Sequence, residues 1–228
     1  MIDHIPIGLN IAMLFATIFT MFFYYYSNKD SGKFLFFVGI WGIIHSIIAF
    51  TGFYQNTEPF PPRILFVLIP LILALIFGLI PNQRNWVVQR RNLKRSPFLH
   101  SVRIVAELML FGLFVNKMIP ELMTFEGRNH DIFAGITAIV VGVLFAKNFI
   151  GHRFMLFWNI IGLGMILFIF GNAILSSETP LQQFAFDQPN RALLYFPFIL
   201  LPSIVVPLVI YTHIIDIIKH LRIIKNNE

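Results

Sequence analysis

Apolar residues in this chain fall into long unbroken runs separated by short polar connectors, without the two-residue alternation of a half-buried strand. Seven runs approach the roughly twenty residues needed to cross about 30 Å of hydrocarbon as a helix. They are Ile5–Tyr26, Phe34–Tyr54, Arg63–Ile80, Leu99–Ile119, Ile132–Ala146, Phe154–Leu175 and Ala192–Ile214. The fifth is short, but its apolar character continues through Phe149 and Ile150, and Lys147 can extend its ammonium toward the head groups. The pattern predicts an all-α polytopic membrane bundle of seven transmembrane helices, forming a single domain over residues 1–228. Continuous runs exclude a transmembrane β-barrel.

Composition agrees. The chain is 57% hydrophobic and 12% charged, with a mean hydropathy of +0.76, against the roughly 25% charged residues of a soluble domain. No connector is long enough for a soluble catalytic or output domain, so any activity belongs to the bundle or its loops. Without cysteine, disulfides, thiol catalysis and iron–sulfur ligation are excluded. The first run has no basic residue before it and no small-residue cleavage pattern after it, and is expected to remain as the first helix.

Charge sets an orientation. Lys29, Lys33, Arg84, Arg90, Arg91, Lys94, Arg95, Lys147, Arg153, Lys219, Arg222 and Lys225 fall on one side, against Arg63, Arg128 and Arg191 on the other. The acids lean the opposite way, with Asp3, Glu58, Glu121, Glu126, Asp131, Glu178 and Asp187 facing Asp30, Asp216 and Glu228. Positive residues are retained in the cytoplasm, which predicts N-out, C-in in a plasma or inner membrane. The basic residues meet no nucleic-acid-binding motif. Those between the third and fourth runs point to anionic lipid, with the bilayer itself the other expected partner.

A weak internal repeat relates the two ends. Lys33–Gly42 aligns without gaps on Arg153–Gly162, matching Phe34 with Phe154, Phe37 with Phe157, Ile40 with Ile160 and Gly42 with Gly162. The same shift sets Glu58 on Glu178, and after an insertion Arg63 meets Arg191. Runs one to three and five to seven then form parallel repeats about a central fourth helix, an arrangement that places binding sites between repeats. The outline resembles that of the sugar-transporting SWEET proteins and of seven-helix receptors. The Pro-Gln dipeptide of the former is missing, and Ala192–Ile214 lacks the lysine a retinal protein requires.

The fourth run carries the most chemistry. His100, Arg103, Glu107, Phe114, Lys117 and Glu121 lie within roughly 100° of arc on a helix. A lone carboxylate at the depth of Glu107 costs about 2.5–3.5 kcal/mol unless paired or protonated, so it is expected to face protein or water. Arg103, one turn away, is its nearest sequence-local partner, which reads as a structural ion pair; the functional reading makes Glu107 a coupling carboxylate.

His45 is well inside the second run, whereas His100, His130, His152, His213 and His220 look scattered, which argues against haem or a metal site. Asn159, in the sixth run, is expected to bond a neighbouring helix. Pro197, Pro202 and Pro207 interrupt the seventh run, freeing carbonyls that either line a cavity or mark a plain kink. Pro70 gives the third run a similar irregularity. The stretches Glu126–Asp131 and Thr179–Asn190 are polar enough for an outer vestibule built from Arg128, His130, Asp131, Gln183, Asp187 and Arg191.

These features favour a bundle that binds a small molecule and acts as a secondary transporter. The site is expected to use Glu107, Arg103, His100, His45, Lys117, Asn159 and Pro202. Two other classes stay open: a receptor or sensor signalling to a separate cytoplasmic partner, and a lipid-modifying intramembrane enzyme or subunit of a membrane complex. No nucleophile–base spacing favours an enzyme, and the residues name neither a cofactor nor the small molecule.

Overall fold

A computed structural model describes residue 2 and residues 4–227. Asp3 and Glu228, two acids of the charge comparison, lie outside the described residues, as do the side chains of Pro70 and Leu71. Eight α-helices follow in order among the described residues. They are α1 (Ile7–Ser27), α2 (Gly32–Phe50), α3 (Leu65–Gly78), α4 (Pro81–Arg90), α5 (Val102–Val115), α6 (Asp131–Ala146), α7 (His152–Leu175) and α8 (Val206–Asn226). No strand occurs among these residues, only one isolated antiparallel bridge between Asn28 and Arg91.

Five stretches are long and apolar enough to cross a membrane: α1, α2, Ser96–Val115, α7 and Leu201–Asn226. Their uncovered faces display Ile11, Ile18 and Phe22 on α1, Phe36, Phe37 and Ile43 on α2, and Phe157 and Phe168 on α7. Water would not tolerate so continuous an apolar exterior, and lipid would. The chain is an all-helical membrane protein.

The other helices depart from the run boundaries for local reasons. The third run ends at Gly78, and the chain bends by 77° into α4. Pro81 opens α4 at a position where no N–H is needed and φ is preset, turning an expected connector into a helix. The fourth run begins as a 3-10 turn, Ser96–Ser101, and its helix stops at Val115 rather than Ile119. Lys117 there takes the left-handed conformation, with φ 60°, and the Met118 N–H closes back onto the Leu113 carbonyl at 2.9 Å, a common helix ending. Asn148 ends α6 in the same way, with φ 63°.

The seventh run differs most. It opens with a 3-10 turn at Ala192–Leu194, continues irregularly to Leu200 and forms a π-helical turn over Leu201–Val205. Pro197 and Pro202 cannot donate to the preceding turn, and the Phe198 carbonyl takes the Leu201 N–H at 3.0 Å instead. Regular helix then runs twelve residues past Ile214, bringing Asp216, Lys219 and Arg222 onto α8.

Leu201–Asn226 is also the most enclosed span, 78% of its apolar window being buried against 50% for Ser96–Val115. The centre of the bundle is therefore α8 rather than the fourth run. On α5, buried Val102, Arg103, Ala106, Glu107, Met109, Leu110 and Leu113 recur at helical spacing on one face. Opposite them, Leu108 and Val115 are exposed.

Candidate functional site

Two acids and one base meet where α5 faces α6, α7 and α8. Arg103 and Glu107 come from adjacent turns of α5 and Asp131 from the first turn of α6; each is 3% exposed or less. Asp131 gains from the unpaired N–H groups at its helix start. Its Oδ2 lies 3.6 Å from Arg103 Nε. The ion pair expected between Arg103 and Glu107 is not formed. Glu107 Oε1 accepts a hydrogen bond from Asn129 Nδ2 at 2.6 Å instead.

Asn129 ties the loop to the site. Its amide also donates to the Met123 carbonyl at 3.1 Å, while its Oδ1 accepts the backbone N–H of Asp131. One side chain thus fixes Glu107 and the start of α6 together. Glu107 Oε2 and Asp131 Oδ1 remain buried without a hydrogen-bond partner among the described residues.

Arg103 turns Nη2 inward, while its Nε and Nη1 are buried without a hydrogen-bond partner among the described residues. Nη2 donates to the Gly162 carbonyl at 2.9 Å and reaches His213 Nε2 at 3.3 Å. A guanidinium can only donate, so His213 Nε2 must accept, and its Nδ1 carries the proton donated to Asn159 Oδ1 at 2.8 Å. Gly162 allows this packing, because a Cβ there would lie 2.6 Å from the His213 ring. His100 stacks on His213 with ring centroids 3.8 Å apart. Further along α8, His220 Nδ1 meets His152 Nδ1 at 2.9 Å. Four histidines that look scattered in sequence are two pairs in space. No group of three or more potential ligands of a metal ion occurs among the described residues.

Beside the acids is a cavity of about 90 Å³. Arg103, Glu107, Asn129 and Asp131 supply most of its polar lining, and Leu68, Leu110, Ile169 and Pro202 are among its apolar walls. Ser177, Thr179 and Leu181 of the following loop complete its rim.

The residues named from sequence separate accordingly. Glu107, Arg103, Asp131 and Pro202 line the cavity, with Asn159, His213 and His100 behind Arg103. Asp131 is thus interior rather than part of an outer vestibule. His45 lies elsewhere, hydrogen-bonded to Tyr54 and packed against Trp41. Lys117 is exposed beyond the end of α5 and does not join the stripe. Arg128 sits over the Phe184 ring, His130, Gln183 and Asp187 are exposed, and Arg191 pairs with Glu178.

Sequence reading missed Asn129, although an Asn and an Asp directly before an apolar run are a helix-start signal. It also missed a second buried centre. Arg91, expected to contact lipid, is 3% exposed and pairs with Asp216 at 2.7 Å. Its guanidinium further donates to Ser27 and Ser96.

The comparisons with known proteins reach the family but not an activity. No curated protein and no solved structure matches the chain. A family model described as a domain of unknown function, DUF8737, matches residues 59–221, which contain Arg103, Glu107, Asn129, Asp131 and His213. With most of its length and the whole buried cluster inside that match, the chain belongs to the DUF8737 family.

Proposed function

We propose that this protein is a secondary carrier for a small, positively charged, partly apolar molecule, exchanged for a proton at Glu107 and Asp131. The observation carrying this reading is the charge count on the cavity wall. Two buried carboxylates face one buried guanidinium, and one oxygen on each acid has no hydrogen-bond partner among the described residues. An uncompensated charge held away from water costs several kcal/mol, on the order of the ion-desolvation penalty. One further positive charge makes the site neutral, and either a proton or a bound cation supplies it. Two occupants competing for one neutralising role are what coupled exchange requires. The apolar remainder of the cavity suits a hydrocarbon body attached to the cationic group.

The wider architecture proposed with it is a single domain of seven spans, N-terminus outside and C-terminus in the cytoplasm, in the cell membrane. The basic excess on the connectors supports that orientation. The alignment of Lys33–Gly42 on Arg153–Gly162 supports a parallel repeat whose halves lie before and after the fourth run in the chain. In this reading the π turn before α8 is the irregularity that reaches the cavity, through Leu201, Pro202 and Val205.

Proteoliposomes containing the purified protein and an imposed pH gradient test the proposal. Alkylammonium ions of increasing size are added outside, and proton release is followed with a pH-sensitive dye. Wild type is expected to release protons with a size optimum, and Glu107→Gln to release none while remaining folded. Full exchange by Glu107→Gln removes the coupling role. No response of wild type to any cation removes the substrate class.

A further inference from the structure

At the opposite end of α8 from the π turn, a wide bowl of about 1450 Å³ opens between the α1–α2 turn, the end of α4, the segment leading to Ser96, the α6–α7 turn and α8. Besides the internally paired Arg91, its lining holds Lys29, Lys33, Arg90, Lys94, Arg95 and Lys219 against a single acid, Asp30. We infer that this bowl is a binding site for a phosphate-bearing anion, either the head group of an anionic lipid or a free phosphate compound.

Apart from Arg90, these cations are held or left free without an acid paired to them among the described residues. Lys94 Nζ donates to Asn148 Oδ1 at 2.9 Å and to the Ala146 carbonyl, and Lys219 Nζ to the Arg91 carbonyl at 2.6 Å. Neutral acceptors of this kind fix an ammonium and leave its charge available. Arg95 lies over the Tyr26 ring at 4.2 Å and Arg90 over Trp86 at 4.4 Å, which holds each guanidinium plane in place. Of these six cations, Arg90 alone pairs with a carboxylate among the described residues, that of Asp30, at 3.2 Å. The ammonium groups of Lys29 and Lys33 have no partner among the described residues and are exposed.

The floor beneath them is fixed. The Asn92 N–H donates to the Ser27 carbonyl at 2.7 Å and the Lys29 N–H to the Arg90 carbonyl at 3.3 Å, joining the α1–α2 turn to the segment after α4. Buried Arg91 anchors that segment to Asp216 of α8. A preformed concave surface with fixed cations around free ones is a recognition site for a multiply charged oxyanion, and a plain orientation signal needs no such construction. The aromatic rim of Tyr25, Tyr26 and Trp86 suits the depth of lipid head groups.

The test uses the purified full chain in phosphatidylcholine nanodiscs, with thermal unfolding followed against pyrophosphate in solution or phosphatidic acid in the disc. Sodium chloride at equal ionic strength is the reference. A saturable rise in Tm is expected with phosphatidic acid. The same rise with pyrophosphate assigns the site to phosphate itself, and a rise with the lipid alone assigns it to the head group in its bilayer setting. Lys29→Gln/Lys33→Gln should weaken apparent affinity about thirtyfold, as the loss of two near-surface cations implies. Lys147→Gln, at the same end but outside the bowl, should leave it unchanged. No rise with either compound, or equal losses in the Lys147 and Lys29/Lys33 variants, overturns the inference.

Discussion

Arg103 pairs with Asp131 across the α5–α6 interface, not with Glu107, one turn away on its own helix. The two buried acids therefore carry different loads. Asp131→Asn removes the acid that Arg103 pairs with and leaves only Glu107, one turn away and tied to Asn129, to balance the guanidinium, which should cost up to about 3–5 kcal/mol. Glu107→Gln keeps an oxygen for Asn129 and leaves the Arg103–Asp131 pair intact, so stability should stay within about 1 kcal/mol of wild type. Unfolding of the detergent-purified variants measures both. Equal stability of Asp131→Asn and wild type would show that Arg103 is compensated by some other group.

The stacked histidines make opposite predictions for two neighbours. Both ring nitrogens of His100 are buried without a hydrogen-bond partner among the described residues, so His100→Phe removes an unsatisfied polar ring and should be neutral or stabilising. His213 has both nitrogens engaged, by Asn159 and Arg103. Its replacement by Phe strands an amide oxygen and a guanidinium N–H, at a cost of about 1–3 kcal/mol. Unfolding midpoints of the two variants should move apart; a matching loss in both would mean that His100 has a partner such as water.

Apolar continuity alone located α1, α2 and α7 to within a few residues, because the hydrocarbon core imposes both length and composition. The seventh run shows where that signal stops. Its prolines marked an irregularity, but not that the regular helix would begin only at Val206 and carry Asp216 inward. The pairing of Arg103 was misjudged because the i+4 rule describes neighbours on one helix surface, whereas long buried side chains choose partners across helices. Arg91 was misjudged for a related reason. Charge counting weighs every basic residue of a connector alike, and only tertiary packing shows that this one is turned in toward Asp216.

Close approach of α6 to α5 holds Asp131 in place. A Cβ at Gly135, one turn beyond Asp131, would lie 2.9 Å from the backbone nitrogen of Ile104 and 3.2 Å from Arg103 Cβ. Backbone cannot yield as a flexible side chain does, so Gly135→Ala should force the helices apart and cost about 1–3 kcal/mol. Gly164→Ala on α7 meets nothing within 4 Å and is the matched control, expected to be neutral. Exchange activity should fall in the first variant and persist in the second. An undisturbed Gly135→Ala, as stable and active as the control, would show that the interface has slack.

Glu178 and Arg191 form a two-pronged pair on the loop beside the cavity, at 2.6 and 2.8 Å. The hydrogen bonds from Arg191 hold the Glu178 carboxyl below its ordinary value of 4.5. A carboxyl whose folded pKa is depressed contributes stability above its unfolded pKa and loses that contribution as pH falls through the folded value. The window thus begins near 4.5 and extends downward. Both side chains are nearly half exposed, which limits the effect to about 0.2–1 kcal/mol. Wild type should therefore be slightly more stable than Glu178→Gln at neutral pH, and the two should converge in acid. Ser177 and Thr179, flanking Glu178, line the cavity rim, so loosening the pair should also speed ligand release. A Glu178→Gln variant with the same acid profile as wild type, or with unchanged exchange kinetics, would detach this pair from the loop's closure over the cavity.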